Sequence, residues 1–220
     1  DNTDITVANG SLTTMTSADN ITWTGTFTPS TNLEDTSNVL TLATSYTDVS
    51  GNTGPSVSTA NYTIDTLVPS ITSFTLSDTA LKIGDTSTVT LIFSEAVTSF
   101  DNTDITVLNG SLTTMTSSDN ITWTGTFTPT INIEDTSNIL TLATSYTDVA
   151  GNTGLSATTA NYTMDTIAPT ITSITSSWGS YLNATEDNND GTITVATTNI
   201  ENGQILSVGL NSVNYTGSVT

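Results

Sequence analysis

The chain has no cysteine and no histidine, and Lys82 is the one basic residue among 220. Without cysteine there is neither a disulfide framework nor a thiolate metal site, and the redox compartment is not marked by disulfides. Ser-His-Asp and Cys-His catalysis are excluded, and zinc and copper lose their usual ligands. One lysine cannot supply the clustered positive charge that nucleic acid or anionic lipid needs, nor complete a phosphate-cradling loop. No apolar run approaches the length of a membrane span, so direct membrane insertion is not expected. The opening residues DNTDITV resemble neither a signal nor a transit peptide, which places any export signal outside this sequence.

What remains is acid and threonine. The 21 carboxylates give a formal charge of −20, while a hydrophobic share of 35% suffices for globular cores. The natural partners of such a surface are cations.

Self-similarity organises the chain. Residues 1–70 align without a gap to 101–170 and differ at 14 positions, among them Leu33/Ile133, Val39/Ile139 and Ile64/Met164. Such swaps keep apolar character, so both copies are expected to build the same core. Beyond ITS at 71–73 and 171–173 the copies part, and a different module is expected to begin in the second.

The local pattern is β throughout. In ITWTGTF (21–27 and 121–127) Ile, Trp, Gly and Phe take one face and threonines the other, and STVTLIF (87–93) alternates likewise. NVLTLATSYTD and ANYTID add further β-rich runs. Turn signals such as Ile83-Gly84-Asp85, Asn109-Gly110 and Gly151-Asn152-Thr153-Gly154 separate them. Short strands at even spacing with no helical period predict antiparallel β-sandwiches, with threonine suited to their solvent faces. Proline in DTLVPS (65–70) and DTIAPT (165–170) blocks a strand ladder and marks linkers. The expected domains are therefore 1–66, the later strands of one repeat; 67–166, a complete unit; and 167–220, the start of a third, different unit. A sandwich lacking the counterpart of STVTLIF loses a core strand. The chain therefore reads as a cut from a longer array, with a strand supplied by a neighbouring chain as the alternative.

With FSEAVTSFDNTDITVLNGSL (93–112), WTGTFTP (123–129) and TDVAGNTG (147–154) in this order, the central unit resembles the bacterial Ig-like repeats of giant surface adhesins. LNATEDNNDGTITV (182–195) and GQILSVGLNSVNYTGSV (203–219) look like the start of another Ig-like module of biofilm-associated proteins. The resemblance implies an all-β fold of tandem Greek-key, antiparallel Ig-like sandwiches set end to end. It also implies an extracellular, cell-surface array, often rigidified by calcium at its joints, with adhesion carried by terminal modules.

In an Ig-type sandwich the chain entry, the turn after the second strand and the turn before the last strand gather at one end. That brings together Asp65, Glu95, Asp148 and Asn152, four oxygen donors of the kind calcium takes. At the next joint Asp165 would meet Glu186, Asp187 and Asp190 of ATEDNNDG, which lacks the spacing of an EF-hand. Asp48 and Asn52 repeat the turn in the first copy, but their partners would lie upstream. The plain alternative is that Asp and Asn beside Gly are turn formers. Asp101 and Asp104 read as caps, EDTSN (34–38 and 134–138) as solvated loops, and Trp23, Trp123, Tyr46 and Tyr146 as core. Sequons stand at Asn9, Asn20, Asn61, Asn109, Asn120, Asn161, Asn183 and Asn214.

Two carboxylates could serve a glycosidase, but these lie in repeated turns rather than in one cleft. The chain is therefore expected to be no enzyme. It reads as a structural extender that projects a distal binding module, with calcium ions and neighbouring repeats of its own chain as partners. The alternative is a segment of a surface layer or extracellular filament that self-associates laterally.

Overall fold

A computed structural model of the protein describes residues 2–180, 191–210 and 212–219. Its most buried strand is Ser87–Phe93, whose alternation sends Val89, Leu91 and Phe93 inward at 0, 0 and 2% exposure. This strand pairs antiparallel with Ile71–Leu76 on one side and Thr122–Pro129 on the other, and Gly110–Leu112 extends the sheet beyond Thr122–Pro129. The facing layer is built from Ile105–Thr106, Thr141–Leu142 and Ala157–Thr158, continued by Glu134–Asn138, Tyr162–Asp165 and Ala80–Lys82. The chain passes to the facing layer after Leu76, after Thr98 and after Pro129, as a Greek-key sandwich requires.

Aromatic rings fill the space between the layers. Phe93 lies 4.8 Å from Tyr146, Phe100 lies 4.8 Å from Trp123, and Phe127 lies 5.4 Å from Tyr162 between ring centroids. Leu140, Leu142 and Met164 close the core around them. Each buried ring removes about 150–250 Å² from water, which makes this cluster the main source of the unit's stability.

One pairing departs from the antiparallel expectation. Ala80–Lys82 runs parallel to Tyr162–Asp165, with Leu81 opposite Met164 and Lys82 opposite Asp165. The cause is a switch of layer. After Leu76 the chain turns at Ser77 and Asp78, where the Ser87 hydroxyl donates to the Asp78 carbonyl at 3.0 Å and accepts from its N–H at 2.9 Å. The entering strand then covers the edge of the last strand, running in the same direction.

EDTSN is a strand in both copies, Glu34–Asn38 and Glu134–Asn138, and not a loop. Side-chain hydrogen bonds hold it where apolar alternation is lacking. The buried Asn138 donates through Nδ2 to the Asp135 and Tyr162 carbonyls, while its own N–H donates to Asn161 Oδ1 at 2.9 Å. Asn109 Nδ2 donates to Asp135 Oδ2 at 3.0 Å and to Asn138 Oδ1 at 3.1 Å. Asp101 and Asp104 form a reciprocal capping box on the short turn Asn102–Asp104.

The first copy repeats these pairings at positions lower by one hundred. Gly10–Leu12 joins Phe27–Pro29, Ile5–Thr6 joins Thr41–Leu42 and Val57–Ser58, and Glu34–Asn38 joins Tyr62–Asp65. Among the described residues no strand stands where Ile71–Leu76 and Ser87–Phe93 stand in the second copy. The strand Thr122–Pro129 is therefore matched only by Phe27–Pro29. Trp23, expected in the core, is 50% exposed for the same reason. Beyond the complete unit, Thr170–Ser176 pairs with Ile193–Thr198, and Ile205–Leu210 pairs with Val213–Ser218.

Candidate metal centre

Three carboxylates meet where the first copy runs into the complete unit. Asp65 ends the strand Tyr62–Asp65, Glu95 follows Ser87–Phe93, and Asp148 ends the strand Thr147–Asp148. Each presents an oxygen within 4.8 Å of the others.

Local chemistry sets each of these positions. Asp148 is 1% exposed and opens the turn that TDVAGNTG builds. Its Oδ1 accepts from the N–H groups of Gly151 at 2.7 Å and Asn152 at 2.8 Å, and its backbone N–H donates to the Asn152 carbonyl at 3.1 Å. Gly151 takes φ +97°, a left-handed conformation that glycine adopts without steric cost. The strand Val97–Thr98 fixes the other flank, placing Val97 opposite Asp148, while the Thr98 hydroxyl donates to the Asp148 carbonyl at 2.9 Å. Asp65 is held by the Leu67 N–H, which donates to its Oδ1 at 3.1 Å.

Asn152 joins the group in a different role from the one expected. It turns its amide nitrogen, not its oxygen, toward the carboxylates. Nδ2 donates to Asp148 Oδ2 at 2.7 Å and to the Asp65 carbonyl at 3.2 Å. In this orientation Asn152 ties two acidic segments together as a donor, and ligation through Oδ1 would require the amide to rotate by half a turn. The Asp65 carbonyl, which sequence reasoning did not single out, therefore lies beside the cluster as another oxygen.

Glu95 is the member left without compensation. Its Oε1 is buried with no hydrogen-bond partner. Burial, followed by the negative charges of Asp148, Asp65 and Glu34, raises its pKa above the ordinary glutamate value. A group with a raised folded-state pKa stabilises the fold when protonated. That contribution is complete below the ordinary glutamate value and is lost as pH rises through the raised one. In chelator, Glu95→Gln is therefore expected to melt above the unaltered protein at pH 7, with the gap closing on acidification past the ordinary glutamate range. Melting temperature against pH for the two proteins checks this. A constant gap across that range would show that Glu95 is not the strained group.

The donor set suits a hard divalent cation. Three carboxylates and a carbonyl offer oxygen alone, and a buried oxygen without a partner is what a bound cation would satisfy. Among the described residues this is the one cluster of three or more acidic groups with such spacing.

The other expected sites are not assembled in this way. Asp165 is exposed, and its Oδ1 accepts from the Ile167 N–H at 3.1 Å, as Asp65 does from Leu67. Glu186, Asp187 and Asp190 lie outside the described residues. Asp48 and Asn52 form the same turn as their twins, with Asn52 Nδ2 donating to Asp48 Oδ2 at 2.8 Å, and the hydrogen bonds from Asn52 lower the Asp48 pKa. No carboxylate from another segment meets them among the described residues.

Several sequons are occupied by internal bonding. Asn9 and Asn109 donate into the Asp35 and Asp135 strands, and Asn61 and Asn161 donate to the carbonyls of Thr36 and Thr136. Asn20 and Asn120 are exposed.

A family model described as a bacterial Ig-like domain matches residues 1–64 and again 65–164. No curated protein and no solved structure matches the chain. No helix of the described residues is long and apolar enough to cross a membrane.

Proposed function

The chain belongs to the bacterial Ig-like domain family, and from that premise we propose that it is a non-catalytic extender segment of an extracellular, cell-surface adhesin, stiffened by calcium at its joints. The units run 1–66, 67–166 and 167–220. The observation that carries the reading is the placement of the acidic cluster. Asp65 closes one repeat, while Glu95 and Asp148 belong to the next, so one cation would crosslink two neighbours. Without it the carboxylates repel one another and the joint loosens; with it, repulsion becomes attachment. Asp65, Glu95 and Asp148 are the ligands, with Asn152 bracing the ring. Duplication of whole units adds length without adding a new surface, and that suits a spacer holding a distal binding module away from the cell.

Calcium titrated into chelated protein is expected to raise the melting temperature and to lengthen the particle in small-angle scattering. Binding to the folded state alone stabilises by about 2.7 kcal/mol at one hundred times the dissociation constant, enough to move a melt by several degrees. No change in either quantity up to millimolar calcium would sink the proposal.

A further inference from the structure

The complete unit holds three sequons, at Asn109, Asn120 and Asn161, and the extender role makes no use of them. The fold treats them differently. Asn109 is half-buried, and its Nδ2 is already committed to Asp135 Oδ2 at 3.0 Å and Asn138 Oδ1 at 3.1 Å. Asn161 is engaged at both ends of its amide, since Oδ1 accepts from the Asn138 N–H at 2.9 Å while Nδ2 donates to the Thr136 carbonyl at 2.9 Å. Tyr162, the middle residue of that sequon, is 1% exposed in the core. A substituent on either nitrogen would break bonds that brace the strand Glu134–Asn138.

Asn120 differs on every count. It is exposed, and its side chain makes no hydrogen bond among the described residues. The turn beneath it is nonetheless fixed. Asp119 Oδ1 accepts from the N–H groups of Ile121 at 2.9 Å and Thr122 at 2.8 Å and from the Ser117 hydroxyl at 2.9 Å, while the Asn120 carbonyl accepts from the Val97 N–H at 3.0 Å. Asn120 takes φ +58°, a left-handed conformation that asparagine adopts more readily than most side chains. Two residues on, Thr122 opens the strand Thr122–Pro129, exposed and with its hydroxyl likewise unbonded among the described residues. A rigid turn thus offers a free amide and a free hydroxyl at the two positions that define a sequon. The first copy builds the same turn, with Asp19 Oδ1 accepting from Ile21 and Thr22 and with Asn20 at φ +56°.

We propose that Asn120 is an acceptor of N-linked glycan on the folded unit, and that Asn109 and Asn161 are closed to it by their hydrogen bonds. The donor is an oligosaccharide carried on a lipid diphosphate. A bond forms between Asn120 Nδ2 and the first carbon of the sugar as that carbon's bond to the diphosphate oxygen breaks; the amide gives up one proton, and the lipid diphosphate leaves. Val97, whose N–H holds the Asn120 carbonyl, stands opposite Asp148, so the glycan flanks the acidic joint with a bulky, uncharged cover. The inference rests on the extracellular part of the reading above, because such transfer meets exported chains, and not on calcium.

The test supplies the transferase directly, so a failure at Asn120 leaves export and the joint untouched. The purified 220-residue chain, folded and free of sugar, is incubated with a lipid-linked donor and a transferase that modifies a peptide of residues 117–125. Glycan-bearing asparagines are then mapped by enzymatic release in heavy-oxygen water and mass spectrometry. Label is expected at Asn120 and at neither Asn109 nor Asn161. A peptide of residues 106–113 is expected to be labelled at Asn109, since nothing there holds the amide. Asn120→Gly, which suits the left-handed turn, and Thr122→Val, which suits a strand, are expected to lose the label at this turn with the melt of the complete unit unchanged. A folded chain left bare at Asn120 would overturn the proposal. So would equal label on Asn109 or Asn161 of the folded chain, since the hydrogen bonds would then close nothing.

Discussion

Asp148→Ala is expected to lower the stability of the complete sandwich by about 2–4 kcal/mol and to abolish its calcium response. The side chain is 1% exposed, and three donors converge on it: the N–H groups of Gly151 and Asn152 on Oδ1, and Asn152 Nδ2 on Oδ2. Hydrogen bonds to a charged acceptor are worth about 1.5–3 kcal/mol each, and stranding their donors costs more than exchanging both partners. Relief of repulsion on Glu95 offsets part of the loss, which is why the sum stays below three full bonds. In a unit of this size the melt should fall by about 10–25 °C. Asp148→Asn keeps an oxygen for the backbone donors, so it should retain much of the stability while losing the calcium response. Thermal unfolding with and without calcium separates the two roles. An unshifted melt for Asp148→Ala in chelator would show that the turn is held by other means.

Phe127→Ala is expected to cost about 3–5 kcal/mol, whereas Phe27→Ala should cost under about 1 kcal/mol. The residues are sequence twins in twin strands, but their surroundings differ. Phe127 has 0% exposure in the core cluster that Val89 and Leu91 of the neighbouring strand also join, and its ring lies 5.4 Å from Tyr162. Phe27 keeps the corresponding contact with Tyr62 at 5.9 Å but faces an open groove. Truncation costs what burial has already supplied, and only one ring is fully buried. Urea unfolding of the two variants measures the difference. Equal losses would mean that the first unit closes its core in another way.

This contrast marks where sequence reasoning succeeds and where it stops. The alternation in STVTLIF and ITWTGTF is visible because one side of each strand is buried, which imposes a period of two. In the first copy the same letters give a shorter strand and an exposed Trp23, because pairing depends on a partner that the local sequence does not contain. Glu34–Asn38 looks like a loop since its residues are acidic and amidic; the strand is secured by Asn38, Asn61 and Asp35, whose bonds appear only after folding. Ala80–Lys82 is too short for any period, so its parallel seat was not legible. The meeting of Asp65, Glu95 and Asp148 was within reach, because the loops of such a sandwich gather at its ends. The direction in which Asn152 points its amide was not, since nitrogen and oxygen differ only in what surrounds them.

The parallel seat of Ala80–Lys82 beside Tyr162–Asp165 governs how the complete unit would carry tension. One of these strands lies near the chain's entry to the unit, and the other leads to its exit. A pull on the two ends therefore slides the strands past each other along their length. Their rungs share the load and must break together, whereas an antiparallel hairpin pulled at its open end parts one rung at a time. Force that has passed Ile71–Leu76 is met at that edge by rungs that must fail together.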